Sequence, residues 1–93
     1  MKIVWTRAAL SDLDLVLAYA AEHYPSSLDG VRRRIGAVVE RVARWPESAR
    51  MVEERSGVRV VPLIRYPYRI FYRVGEDAVE ILHLHHAAHD ETD

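Results

Sequence analysis

The sequence has no cysteine, which excludes disulfide bonds, thiolate metal sites and cysteine nucleophiles. Lysine is almost absent too, because twelve of the 13 basic residues are arginine and Lys2 is the single lysine. No apolar run approaches the roughly 20 residues that a membrane-spanning helix needs, and polar residues follow Trp5 at once, unlike the pattern of a secretory signal. We therefore expect a cytoplasmic protein without a membrane segment.

The chain is 93 residues long, and 49% of its residues are apolar. This composition predicts a single globular domain over residues 1–93 and argues against disorder. The formal net charge is −1, but residues 90–93 hold three of the 14 acidic residues, so residues 1–89 carry 13 bases and 11 acids, a balance of +2. Arginine's planar group suits phosphates and carboxylates. An anionic partner is one explanation of the arginine excess, and a GC-rich genome is the other.

Two amphipathic helices are predicted in the first half of the chain. Thr6 is a suitable N-cap residue, and apolar side chains then recur at spacings of three and four up to about His23. Pro25 ends this helix because it lacks a backbone N–H group. A second apolar stripe runs over residues 28–42, and Trp45-Pro46 ends it. The short connection predicts an antiparallel helical hairpin.

Four strands are predicted around and after these helices, over residues 2–5, 58–64, 68–74 and 78–85. Pro62 lacks a donor for a strand ladder, so we expect it at a sheet edge. Residues 47–57 are predicted to be a loop. The resulting fold class is α+β: an N-terminal strand and an antiparallel two-helix hairpin packed on a mostly antiparallel four-stranded sheet.

Arginine alternates with an aromatic residue in the third predicted strand. Arg69, Phe71 and Arg73 share one strand face, which we expect to point away from the helices and to be open to water or to a partner. Arg59 and Arg65 lie close by on the preceding strand. Arginine beside aromatic rings suits a nucleic acid strand, and an acidic peptide would fit equally well. A solvated strand face is the alternative.

Four histidines crowd the end of the last strand: His83, His85, His86 and His89. His83 and His85 share a face and could hold zinc or nickel, but a third ligand would have to come from His89 or the two acidic residues after it. This spacing matches no established metal signature, so we predict no metal site. Packed or solvated histidines are one reading, and general acid–base chemistry with arginines on a phosphate is the other. No nucleotide or cofactor motif is present, so no cofactor is expected.

Several short motifs occur in an order and spacing that resemble the RelE/ParE family of toxins from type II toxin–antitoxin operons. The resemblance covers nearly all of the chain, with these segments: Thr6-x-x-Ala9-x-x-Asp12-Leu13, Trp45-Pro46-Glu47-Ser48-Ala49-Arg50, Gly57-Val58-Arg59, Tyr66 to Val74, Val79-Glu80-Ile81-Leu82 and His86-Ala87-Ala88-His89-Asp90. It implies a growth-inhibiting toxin that a cognate antitoxin neutralises in a hetero-oligomer. The target stays open, because RelE-like members cut messenger RNA on the ribosome without a metal and ParE-like members poison DNA gyrase.

The RelE-like nuclease residues are only partly matched in this sequence. Their strand arginine corresponds to Arg69, but Val60 and Pro62 stand where those nucleases have lysines, and His89 replaces an arginine. A tyrosine that follows in those nucleases has no counterpart. The resemblance therefore favours a gyrase poison. The first alternative is a ribosome-dependent mRNA endoribonuclease with Arg69 and either His86 or His89 in catalysis, and the second is a non-toxic binding module.

Overall fold

Two long helices and a five-stranded sheet make up the computed structural model, which describes residues 1–87. A single 3₁₀ turn, Pro25–Ser27, connects the helices. The elements in chain order are β1 (Lys2–Trp5), α1 (Arg7–His23), α2 (Leu28–Arg44), β2 (Arg50–Met51), β3 (Val58–Pro62), β4 (Tyr68–Val74) and β5 (Ala78–His86). No helix within residues 1–87 is both long and apolar enough to cross a membrane.

The strands lie in the order β1-β5-β4-β3-β2. β1 runs parallel to β5, and the other neighbours are antiparallel. The predicted α+β class and helical hairpin are confirmed, but the sheet has five strands rather than four. The additional strand is β2, inside the segment predicted as a loop, and two residues are too few to show an alternating pattern. Pro62 pairs with Arg69 beyond the last β2 contact, so it lies on an open edge as its missing N–H requires.

Thr6 connects the start of α1 to the last strand. Its hydroxyl accepts a hydrogen bond from the Ala9 N–H at 3.1 Å, which is an N-cap contact. The same hydroxyl donates to the Ile81 carbonyl at 2.8 Å. One side chain therefore both begins the helix and fixes it beside β5.

The main core lies between the helices and the sheet. Val38 and Val42 of α2 and Ile70 and Tyr72 of β4 are all buried there. Leu13 of α1 packs against this core and is half-buried. These positions confirm the predicted orientation of the two helices on the sheet.

Phe71 belongs to a second, smaller cluster on the opposite side of the sheet. Val58 and Val60 complete this cluster, and Val52 and Leu82 pack against it. The prediction that Phe71 points away from the helices is confirmed, but the prediction that it is open to water is wrong, since only 8% of its surface is exposed. Branched side chains from β3 cover the ring, so the sheet also has a small apolar layer on the face opposite the main core.

Leu82 is an extra residue in β5. Tyr72 pairs with Ile81, whereas the preceding residue, Phe71, pairs with His83. Such a bulge shifts every later side chain to the other face. His83 and His85 consequently lie on the Phe71 face, although strict alternation from Ile81 would have placed them under the helices.

Candidate functional site

A cationic cavity of about 490 Å³ opens at the edge of the sheet, between α2, β2 and β3. Four arginines and one hydroxyl side chain contribute to its wall: Arg34, Arg41, Arg50, Arg69 and Ser48. No acidic side chain among residues 1–87 lines it. The Nε of Arg34 is buried there and has no hydrogen-bond partner among residues 1–87. Four converging positive charges with an unused donor would stabilise a carboxylate or phosphate.

Arg59 does not belong to this cavity or to the Phe71 face. It pairs with Tyr72 across β3 and β4, and cross-strand partners share a face, so it points toward the helices. Its Nη1 donates hydrogen bonds to the carbonyl oxygens of Glu47 at 3.1 Å and Ala49 at 2.7 Å. These contacts indicate a structural role in fixing the segment after α2.

The other predicted target-binding arginines lie in three places. Arg69 lines the cationic cavity, and Arg73 is exposed on the same sheet face as Phe71. Arg65 lies in the β3–β4 turn with a positive φ of 89° and lines a different cavity. The predicted set therefore divides into Arg69 at the cationic cavity, Arg73 with Phe71 on one sheet face, a turn residue and a structural arginine.

The cavity that Arg65 joins is a second candidate surface, which we call the aromatic groove. It has a volume of about 650 Å³ and is lined by side chains from the second half of α1, its C-cap, the β3–β4 turn and the adjoining ends of β4 and β5. These include Leu15, Tyr19, Tyr24, Tyr66, Tyr68 and His86. Leu15 is 68% exposed, Tyr19 50% and Tyr24 57%. Burial raises the pKa of Tyr68 above its ordinary value, and Tyr19 and Tyr24 add to this effect. A contiguous apolar surface of this kind is typical of a protein–protein contact.

The two described residues of the hypothetical nuclease site lie on opposite faces of the sheet. Arg69 pairs with His85, whereas His86 pairs with Tyr68, the neighbouring residue that faces the helices. The His86 ring packs edge-on against Tyr68 with centroids 5.5 Å apart, inside the aromatic groove. His89 lies outside the described residues. The structure thus separates Arg69 from His86 and instead places His85 next to Arg69.

His83 and His85 share a face, as predicted, and both approach a residue that the sequence analysis did not connect with them. Asp12 of α1 places Oδ2 at 3.3 Å from Nδ1 of His83 and at 3.7 Å from Nε2 of His85. The same oxygen accepts the Leu84 N–H at 3.0 Å. Seventy-one positions separate Asp12 from His83, so no local spacing could have revealed this cluster.

The chain matches the family described as "ParE toxin of type II toxin-antitoxin system, parDE" over residues 3–91. It belongs to this toxin family. The Sinorhizobium fredii protein named "Putative toxin Y4kP" is 40% identical over 86 residues, covering 92% of this chain and 88% of that protein. "Toxin RelE2" of Caulobacter vibrioides is 31% identical over 88 residues, covering 94% and 96%. The structure titled "Chromosomal ParDE TA system from P. aeruginosa" superposes with a TM-score of 0.70 and 26% identity, covering 92% of this chain and 95% of that one.

Membership of this ParE family makes the protein the toxin of a type II toxin–antitoxin system, and such a toxin has an antitoxin protein as its partner. The toxin has two surfaces of different chemistry that a partner could cover. The aromatic groove is apolar, and the cationic cavity carries four arginines.

Proposed function

We propose that this toxin inhibits growth by poisoning DNA gyrase and that its antitoxin neutralises it in a hetero-oligomer in the cytoplasm. The observation that carries the proposal is the separation of the nuclease residues. Cleavage of RNA needs a base for the 2′-hydroxyl, an acid for the leaving oxygen and cations at one phosphate. Arg69 and His86 point to opposite faces of the sheet, so they cannot serve the same phosphate.

The missing cations strengthen this argument. RelE-like nucleases resemble one another in having two lysines on this strand. The matching residues of this chain, Val60 and Pro62, carry no charge. Removing one charged transition-state contact costs on the order of 2.7–4 kcal/mol, or about a hundredfold to a thousandfold in rate. Two such losses would leave little cleavage. A toxin that acts by binding a protein target needs none of these groups.

The two surfaces favour an antitoxin with a mixed interface. An amphipathic segment could bury its apolar side chains in the aromatic groove. Leu15 and Tyr24 are more than half exposed there, and Tyr19 is half exposed. Acidic side chains of the same partner would satisfy the cationic cavity, including the buried Nε of Arg34. These contacts together would give the antitoxin both affinity and a fixed orientation.

A second candidate function, ribosome-dependent mRNA cleavage, is favoured by one contact. Arg69 and His85 are direct cross-strand partners on one face, so a cation and an acid–base group do lie side by side. This alternative would assign the catalytic histidine to position 85 rather than 86. This alternative would still lack the two lysines that Val60 and Pro62 replace.

The test expresses the toxin from a tightly repressed promoter, with and without the antitoxin gene. We expect growth arrest without the antitoxin and recovery with it. Purified toxin, gyrase and plasmid should give linear DNA after protease treatment, and this product should require gyrase. Primer extension on messenger RNA from arrested cells should show no new codon-phased cuts.

Two variants add a structural control to this assay. Arg73→Ala removes an exposed cation from the Phe71 face, and Arg33→Ala removes an exposed cation from α2, away from both cavities. We expect Arg73→Ala to weaken the gyrase effect by about tenfold or more, as for an interface arginine, and Arg33→Ala to leave it unchanged.

Codon-phased cuts that disappear in Arg69→Ala and His85→Ala would instead establish the nuclease. A chain that arrests no growth at all would support a non-toxic binding module.

A further inference from the structure

The acidic and histidine side chains that meet beside β5 form a cluster that the proposed gyrase contact does not use. It consists of Asp12, His83 and His85, and its three ligand atoms all lie within 4.8 Å of one another. The side chains of these residues are 22%, 31% and 25% exposed. The cluster is therefore sheltered by the fold but still reachable from solvent.

The distances within the cluster are compatible with a bound metal ion. Oδ2 of Asp12 forms a long hydrogen bond of 3.3 Å with Nδ1 of His83. Its distance of 3.7 Å from Nε2 of His85 exceeds the range of about 2.7–3.2 Å for an N–H···O hydrogen bond. In a tetrahedral zinc site with bonds of about 2.0–2.1 Å, neighbouring ligand atoms are roughly 3.3–3.4 Å apart. The two separations from Asp12 lie near that value, and all three ligand atoms lie within 4.8 Å of one another.

The fold itself holds the carboxylate in place. β1 ends at Trp5, paired with Ile81, so the later residues of β5 have no strand on that side. The Leu84 N–H on this open edge donates instead to Oδ2 of Asp12 at 3.0 Å. This hydrogen bond orients the carboxylate as an outer contact orients a ligand in a metal site.

The histidines are also fixed by the strand. The Leu82 bulge places His83 and His85 on one face, and their ring centroids lie 4.8 Å apart. The His85 ring also packs against Phe71, with a centroid distance of 5.7 Å. Two imidazoles and one carboxylate in a sheltered position make a donor set that suits zinc.

From this geometry we infer that Asp12, His83 and His85 form a binding site for one divalent transition-metal ion, with Zn²⁺ as the expected occupant. The three side chains supply three ligands, and solvent supplies the remaining position of a tetrahedral ion. The ion connects the first helix to the last strand across the open edge of β5. Because it would bind the folded chain in preference to the unfolded one, it should stabilise the fold.

The test uses the full chain without a histidine tag, because a tag would compete for the ion. Calorimetric titration with Zn²⁺ should give one ion per chain, and Zn²⁺ should raise the unfolding temperature. Mg²⁺ should do neither, since it prefers oxygen ligands. Bound Co²⁺ should show visible absorption of a four-coordinate ion.

Variants at the ligands decide whether this cluster is the site. His83→Gln and His85→Gln should each weaken Zn²⁺ binding by at least about a hundredfold, since loss of an outer contact alone costs 10–100-fold. Asp12→Asn should also weaken it, while its side-chain oxygen can still accept the Leu84 N–H and so preserve the fold. His23→Gln is the matched control, because His23 is an exposed histidine at the far end of α1.

The proposal is overturned if the wild-type chain binds no Zn²⁺, or if the two ligand variants bind it as tightly as the His23 variant does. Circular dichroism of each variant identifies any loss of binding that comes from unfolding. If the histidine variants unfold, Zn²⁺ binding by the folded Asp12→Asn variant is compared with that of the wild-type chain. None of these measurements depends on gyrase or on messenger RNA. The metal site can therefore fail while the proposed target stands, and the reverse.

Discussion

Tyr72 offers a direct test of how the segment after α2 is held against the sheet. Its side chain is fully buried, and its hydroxyl donates a hydrogen bond of 2.6 Å to the carbonyl oxygen of Pro46. Tyr72→Phe keeps the ring and removes only this donor. A fully buried carbonyl left without its partner costs about 1–3 kcal/mol. Because Pro46 is only half-buried, we expect a loss of about 1–2 kcal/mol in the free energy of unfolding. For a domain of this size, that lowers the unfolding temperature by about 4–16 °C.

The assay is urea and thermal unfolding followed by circular dichroism, with Tyr19→Phe as the control. Tyr19 is 50% exposed, so removing its hydroxyl should change stability by less than about 0.5 kcal/mol. Arg59→Met tests the neighbouring hydrogen bonds to the Glu47 and Ala49 carbonyls. Because both side chains hold the same segment, the double variant should be non-additive by about 0.5 kcal/mol or more. A Tyr72→Phe loss no larger than that of the control would refute the reasoning.

Two further predictions concern pH and the start of α1. Burial raises the pKa of Tyr72 above 10.0, against the opposing effects of Arg59 and of a backbone hydrogen bond from Ala49. Between pH 10.0 and the folded pKa, the unfolded chain loses this proton first, so the free energy of unfolding should fall as the pH rises, and Tyr72→Phe should reduce that fall in alkaline urea titrations. Thr6→Ala should destabilise the protein by about 1–2 kcal/mol in the same unfolding assay, since it removes an N-cap and a bond to Ile81, while Thr6→Ser should retain most of the stability. An equal loss in both Thr6 variants would contradict the hydrogen-bond explanation.

The sequence predicted the fold where local patterns are strong. Apolar spacing located both helices, and Pro25 and Trp45-Pro46 marked their ends within a residue or two. It missed β2, because a two-residue strand leaves no periodic pattern. It also missed the bulge at Leu82, although the apolar positions of β5 change there from odd to even numbers. That change of phase is the local trace of a bulge, and it decides which face the histidines occupy.

The candidate site was less predictable than the fold, because its residues meet only through tertiary structure. The sequence placed Arg59 with the target-binding arginines, but the pairing with Tyr72 turns it toward the helices. It considered only His89 and the two acidic residues after it as a third ligand for His83 and His85, since Asp12 comes from the other end of the chain. In both cases the deciding fact is a strand register or a helix position, which residue spacing along the chain does not contain.

The same reasoning explains why membership of the family leaves the target to be determined by experiment. The chain matches the ParE toxin family over residues 3–91 and is also 31% identical to a protein named RelE2. Both names therefore occur among proteins with sequences similar to this one. The helical hairpin and the main core lie on one side of the sheet, and Arg73 and His85 lie on the other. Arg73 lies outside the packed cluster of Phe71, so its side chain can change without disturbing the packing of Ile70 and Tyr72 beneath the helices. We therefore expect the target to depend on side chains of the Phe71 face, where Arg73 is exposed and Arg69 is half-buried, and variants at these two positions test that expectation.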